Sequence, residues 1–71
     1  MKILLQNKRT SDYVMKDGGW TPRIEGAHEF GTGLDAIFYC LNHQYAEMQI
    51  LGEFTDSRMN FTVAVTDLRG D

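Results

Sequence analysis

Two stretches in the second half of the chain alternate strictly between apolar and polar positions. In AEMQILGEF, residues 46 to 54, Ala46, Met48, Ile50, Gly52 and Phe54 fall on one side, and Glu47, Gln49, Leu51 and Glu53 on the other. NFTVAVT, residues 60 to 66, repeats the device, with Phe61, Val63 and Val65 opposed to Asn60, Thr62, Ala64 and Thr66. A period of two is the mark of a strand with one buried and one solvated face. The polar TDSRM between them has the length of a hairpin loop. The pattern therefore predicts a hairpin whose sheet is covered on one side only.

A different period precedes it. In GTGLDAIFYCLNHQ, Leu34, Ile37, Phe38 and Leu41 follow the i, i+3, i+4, i+7 spacing of one helical stripe, which is expected to face the sheet. Thr32 is placed to cap this helix, and Asp35 sits well in the positive end of its dipole. At the start of the chain, KILLQN (residues 2 to 7) and SDYVMK (residues 11 to 16) flank the polar tip KRT and read as another hairpin. Asp17-Gly18-Gly19 ends the second of these strands, because glycine accepts positive φ without steric cost.

Between hairpin and helix lies a long connector, residues 17 to 31, holding the only tryptophan and the only proline. Connections of this length in a compact domain need packing of their own. Trp20, Ile24, Ala27 and Phe30 supply it, and Pro22 suits the start of a helical turn. The expected architecture is α+β, in the order ββαββ: a mainly antiparallel four-stranded sheet with one helix packed on one face. Residues 1 to 71 form a single small domain, with 17 to 31 as a packed crossover and 67 to 71 as a flexible tail.

Composition adds limits. At 42% hydrophobic and 24% charged, the chain has the make-up of a globular domain, neither disordered nor fibrous. With 71 residues it supports one core, and a core of this size supplies about 3–5 kcal/mol unless a disulfide, metal or partner adds to it. Self-association is therefore expected. The single cysteine, Cys40, cannot form an intramolecular disulfide and suits a reducing, cytoplasmic setting. The apolar start turns polar at Gln6, too soon for a signal-peptide core, and no apolar run is long enough to span a bilayer.

The net charge of −3 weighs against a phosphate backbone as main partner. The charge is uneven, +2 over residues 1 to 20 and −5 over the rest, so complementary faces could orient a dimer. Lys8 and Arg9 at the first hairpin tip could touch phosphate, and Tyr13 or Trp20 could stack on a base. Two adjacent cations at a turn are more often plain solubility. Cys40 and His43 stand at i and i+3 with His28 upstream, but zinc needs three or four ligands, and a cysteine beside an apolar stripe usually packs as a small hydrophobe. Neither an orienting group nor an oxyanion donor surrounds the pair, so no catalytic residue is assigned. Glu47 and Glu53 are too far apart to share a proton. The glycines of Gly31-Thr32-Gly33 open a helix without the lysine of a phosphate loop. Arg69-Gly70-Asp71 is an adhesion tripeptide by spelling only.

The succession DYVMKDGGWT, then Ala27 to Phe30 as A-x-x-F, then AIFYC and MQILGEF, resembles a group of short bacterial proteins without an assigned activity. These similarly join a tyrosine-bearing strand, W-T, A-x-x-F, a helix with a late cysteine and a β-hairpin. The resemblance covers residues 12 to 66 and implies a shared fold, with no chemistry to carry over. The functional expectation is a non-enzymatic protein-interaction or regulatory module without cofactor or metal, working through a protein partner or as a homodimer. Its candidate interaction surface is Trp20, Lys8, Arg9 and Tyr13. The alternative is nucleic-acid or small anionic-ligand binding through Lys8, Arg9 and Trp20.

Overall fold

The computed structural model describes residues 1–65; the expected tail and the Arg69-Gly70-Asp71 tripeptide lie outside the described residues. Among the described residues it is an α+β fold whose elements run β1 (Lys2–Asn7), β2 (Tyr13–Val14), β3 (Trp20–Thr21), α1 (Gly33–His43), β4 (Met48–Glu53) and β5 (Phe61–Ala64). The strands form one antiparallel sheet in the order β3-β2-β1-β4-β5. The central ladder joins β1 to β4 through six register pairs, from Lys2↔Glu53 to Asn7↔Met48.

Four expected strands are thus five. The extra one is β3, inside the segment read as an irregular crossover, where Trp20 pairs with Val14 and Thr21 with Tyr13. A tight turn makes this pairing: Gly18 takes φ 91°, its N–H donates to Met15 O, and Met15 N–H donates to Gly19 O. The same turn shortens β2 well below the span the sequence pattern suggests. The rest of the connector is tied down by backbone bonds, His28 N–H to Val14 O and Phe30 N–H to Ile3 O, each 2.8 Å. One short 3-10 turn, Ile24–Gly26, begins two residues after Pro22.

The hydrophobic core lies between the sheet and α1. Leu5, Val14, Phe30, Ala36, Cys40, Met48, Ile50 and Val65 form it, and Leu5, Val14 and Ala36 are wholly inaccessible to solvent. The expected one-sided covering is only half right. On the opposite side of the sheet, Leu4 and Leu51 are register partners and both are buried. Lys2 opposite Glu53 flanks them at one end and the Gln6–Gln49 amide bond, 2.9 Å, at the other. Long polar side chains shelter apolar surface with their stems while their heads stay wet.

Thr32 caps α1 as its position suggests, its hydroxyl accepting from Asp35 N–H at 3.1 Å. At the other end Gln44 takes φ 56° and donates to the carbonyls of Cys40 and Leu41, so the chain turns back toward β4. The rotation of α1, however, differs from expectation. Ala36 and Cys40 are buried and Ile37 half-buried, whereas Leu34, Phe38 and Leu41 are 58%, 53% and 43% exposed. Small residues on the inner face let the helix come close: an added Cβ at Gly33 would stand 4.0 Å from Ile50 Cδ1. The oily stripe is displaced to the flank of the helix.

Stability measurements distinguish the two rotations. Leu5→Ala is expected to cost about 2–5 kcal/mol and Ala36→Leu about 1–3 kcal/mol through overpacking. Leu34→Ala, on an exposed position, should stay within about 1 kcal/mol. Urea midpoints of the three variants check this order, and a Leu34→Ala loss equal to that of Leu5→Ala contradicts the rotation.

Candidate functional site

Two surfaces flank α1. On one side, rings gather along the seam between helix and connector. Tyr39 stacks on His43 with centroids 4.1 Å apart, meets Phe30 edge-on at 5.4 Å, and lies 6.1 Å from Tyr45. His28 abuts Phe30 at 4.6 Å, and Trp20 abuts Tyr45 at 5.2 Å. Their positions follow from local structure: β3 holds Trp20 on the same side of the sheet as Val14, and the left-handed Gln44 delivers Tyr45 beneath it. Trp20 is 40% exposed, so it is half anchor and half surface.

Tyr39 has its phenol raised above the ordinary 10.0 by burial first, then by Tyr45, Cys40 and the Asp17 carboxylate. Tyr13 is raised too, by burial and then by Glu53. His43 turns Nδ1 to within 2.9 Å of Tyr39 O, while the neighbouring Cys40 thiol points into the core. The two side chains thus belong to different environments. Among the described residues no three His, Cys, Asp or Glu side chains converge as a metal ion would require.

The other flank of α1 is apolar. Leu34, Phe38 and Leu41 stand along it, and Leu41 lines a cleft of about 310 Å³ with Cys40, Tyr45, Met48 and Val65. Val65 follows directly on β5, so this flank looks toward the β4–β5 side of the sheet. Here Phe61 lies opposite Gly52, and its ring fills the place of the missing side chain, with Cε1 2.5 Å from where a Cβ would stand. The ring remains 43% exposed. The Leu34, Phe38 and Leu41 row and the Phe61 ring are thus separate pieces of exposed apolar surface.

The residues proposed from sequence are dispersed. Tyr13 pairs with Gln6 and Thr21, on the side of the sheet away from α1, whereas Trp20 is on the helix side. Lys8 and Arg9 are exposed at the hairpin tip, where Asn7 Oδ1 accepts from Arg9 N–H and Thr10 N–H. Arg9 pairs with Glu47 at 3.5 Å, which offsets its charge. The sequence reading missed Tyr45 as the ring neighbour of Trp20, the rings of Tyr39, Phe30 and His28 that continue the seam from it, and the exposed flank of α1. Tyr39 and His43 at i and i+4 carried a signal for the first; Ala36 and Cys40 at the same spacing carried one for the second.

No family model, curated protein or solved structure matches the chain. Among the described residues no helix is long and apolar enough to cross a membrane.

Because the folded state holds the Tyr39 and Tyr13 protons more tightly than the unfolded state, their contribution to stability is complete below about pH 10 and is lost as pH rises through their folded values. Unfolding free energy should therefore fall above about pH 10, and Tyr39→Phe should flatten that fall. Urea titrations across alkaline pH measure it; an unchanged slope in Tyr39→Phe removes Tyr39 from the account.

Proposed function

We propose that the chain is a non-enzymatic protein-interaction module and that it engages a partner through the exposed apolar row of α1. One observation supports this above the others: Leu34, Phe38 and Leu41 make a continuous row on a capped helix, and all three are roughly half exposed. Scattered apolar residues on a surface need no explanation, but a contiguous apolar patch is characteristic of interaction sites. Partners of such a surface are proteins with an apolar ridge of their own, including a second copy of this chain. The single cysteine, buried within the core, suits residence in the cytoplasm.

The basic hairpin tip gives weaker support for a nucleic-acid or anionic-ligand partner. Arg9 is matched by Glu47, and the exposed part of Trp20 stands on the helix side with Tyr45 against it. Among the described residues Cys40 is buried in the core while His43 turns Nδ1 to Tyr39 O, so the pair is assigned no reaction.

Paired baits test the proposal. Immobilised wild-type chain is expected to retain specific proteins from native lysate, those proteins to be lost with Phe38→Glu, and to persist with Lys8→Glu/Arg9→Glu. Phe38 is half exposed, so the charge is tolerated in the folded chain. Retention lost only with the double tip variant turns the function toward the basic hairpin.

A further inference from the structure

The seam of rings on the connector side of α1 reaches the surface beside a negative charge. Trp20 stands at the outer end of the row, its ring 5.2 Å from that of Tyr45 and tilted by 51°, and Tyr45 in turn lies 6.1 Å from Tyr39. Tyr39 and Tyr45 are half-buried, whereas Trp20 keeps 40% of its surface in water. The turn that leads into β3 adds a carboxylate. Asp17 is exposed on it, and its Oδ1 is fixed by accepting, at 2.9 Å, from the N–H of Gly19, the residue just before Trp20. The same carboxylate acts on the Tyr39 phenol across the seam. Among the described residues no lysine or arginine pairs with Asp17, whereas Glu47 has Arg9 and Asp56 has Arg58.

These groups share one electrostatic character. The face of an indole or phenol ring carries the negative lobe of its quadrupole, and a carboxylate beside it adds a full negative charge. An anion is repelled by both, and a neutral apolar ligand gains nothing from the carboxylate. A bare ammonium keeps its strong hydration, which rings cannot replace, whereas an alkylated ammonium spreads its charge over methyl groups that pack on aromatic faces. We infer that Trp20, Tyr45 and Asp17 form a surface site for an alkylated ammonium group, the trimethylammonium head of a small molecule or of a methylated lysine side chain, with Tyr39 supporting Tyr45 from behind. Trp20 and Asp17 are both exposed, so water screens the contact and the affinity is weak, with Kd on the order of millimolar. The site uses none of Leu34, Phe38 and Leu41, so it stands or falls separately from the interaction reading above.

Trp20 is the only tryptophan, so indole fluorescence and the Nε1–H resonance report on the site directly. Titration of the full chain with choline is expected to shift both signals saturably, and dimethylbutanol, the neutral carbon isostere of choline, to leave them unmoved at equal concentration. Asp17→Asn keeps the side-chain oxygen that Gly19 N–H needs and should weaken choline about threefold to fivefold. Added NaCl should weaken it in the wild type as well. Tyr45→Leu, checked for folding by circular dichroism, should bind at least about fivefold more weakly while retaining Trp20 as the probe. Short peptides carrying trimethyllysine or plain lysine separate the two sources: tighter binding of the methylated peptide than of choline assigns a protein ligand, and the reverse order assigns a small molecule. No shift with choline, an equal shift with dimethylbutanol, equal binding of the plain lysine peptide, or an Asp17→Asn titration identical to the wild type overturns the site.

Discussion

Ala36 and Cys40 bring α1 down onto a sheet surface built by Leu5, Met48 and Ile50, and the position of every other group follows from that close seat. Larger side chains on this face would hold the helix farther from the sheet and open the space beneath it. Interiors tolerate such voids poorly, because each lost contact forfeits dispersion and leaves apolar surface uncovered. With the small face inward, the helix has one rotation available to it, and the larger apolar residues are carried round to the flank. The exposed row is thus a consequence of how the core is closed.

The same rotation sets the aromatic seam. Tyr39 is brought against Phe30, whose N–H is fixed to the carbonyl of Ile3, and the ring of Tyr39 in turn supports His43 and Tyr45. Trp20 completes the row from β3. Rings at these separations contribute beyond simple burial when they meet edge-on or tilted. The connector is therefore a structural arm bound to the sheet by hydrogen bonds and to the helix by rings. That accounts for the largest side chain of the protein standing in the connector: Trp20 pairs with Val14 in the sheet and packs its ring on Tyr45, just past the end of α1.

Period-two and capping signals were legible because they are local. Met48, Ile50, Val63 and Val65 lie on the core side as their alternation suggests, and Thr32 caps the helix with its own hydroxyl. Two features were hidden for physical reasons. β3 is two residues long, and nothing local distinguishes Trp20-Thr21 as a strand until β2 is beside it. The rotation of α1 was misread because hydrophobicity ranks Leu and Phe above Ala and Cys, whereas close packing ranks by volume at short range. Leu51 followed the same logic, an apolar residue on a polar face whose burial depends on Leu4 across the ladder. The dispersal of Lys8, Arg9, Tyr13 and Trp20 is likewise a property of the pairing, since Tyr13 and Trp20 part company only when the sheet assigns their sides.

A domain of this length has little interior to offer, and its apolar residues are correspondingly valuable inside. An evenly amphipathic helix could have turned Leu34 and Phe38 inward and placed small or charged residues outside. Here the arrangement is reversed: Ala36 and Cys40 are buried, and Leu34 and Phe38 are exposed. Seating α1 on small residues thus leaves three of its larger apolar side chains at the surface.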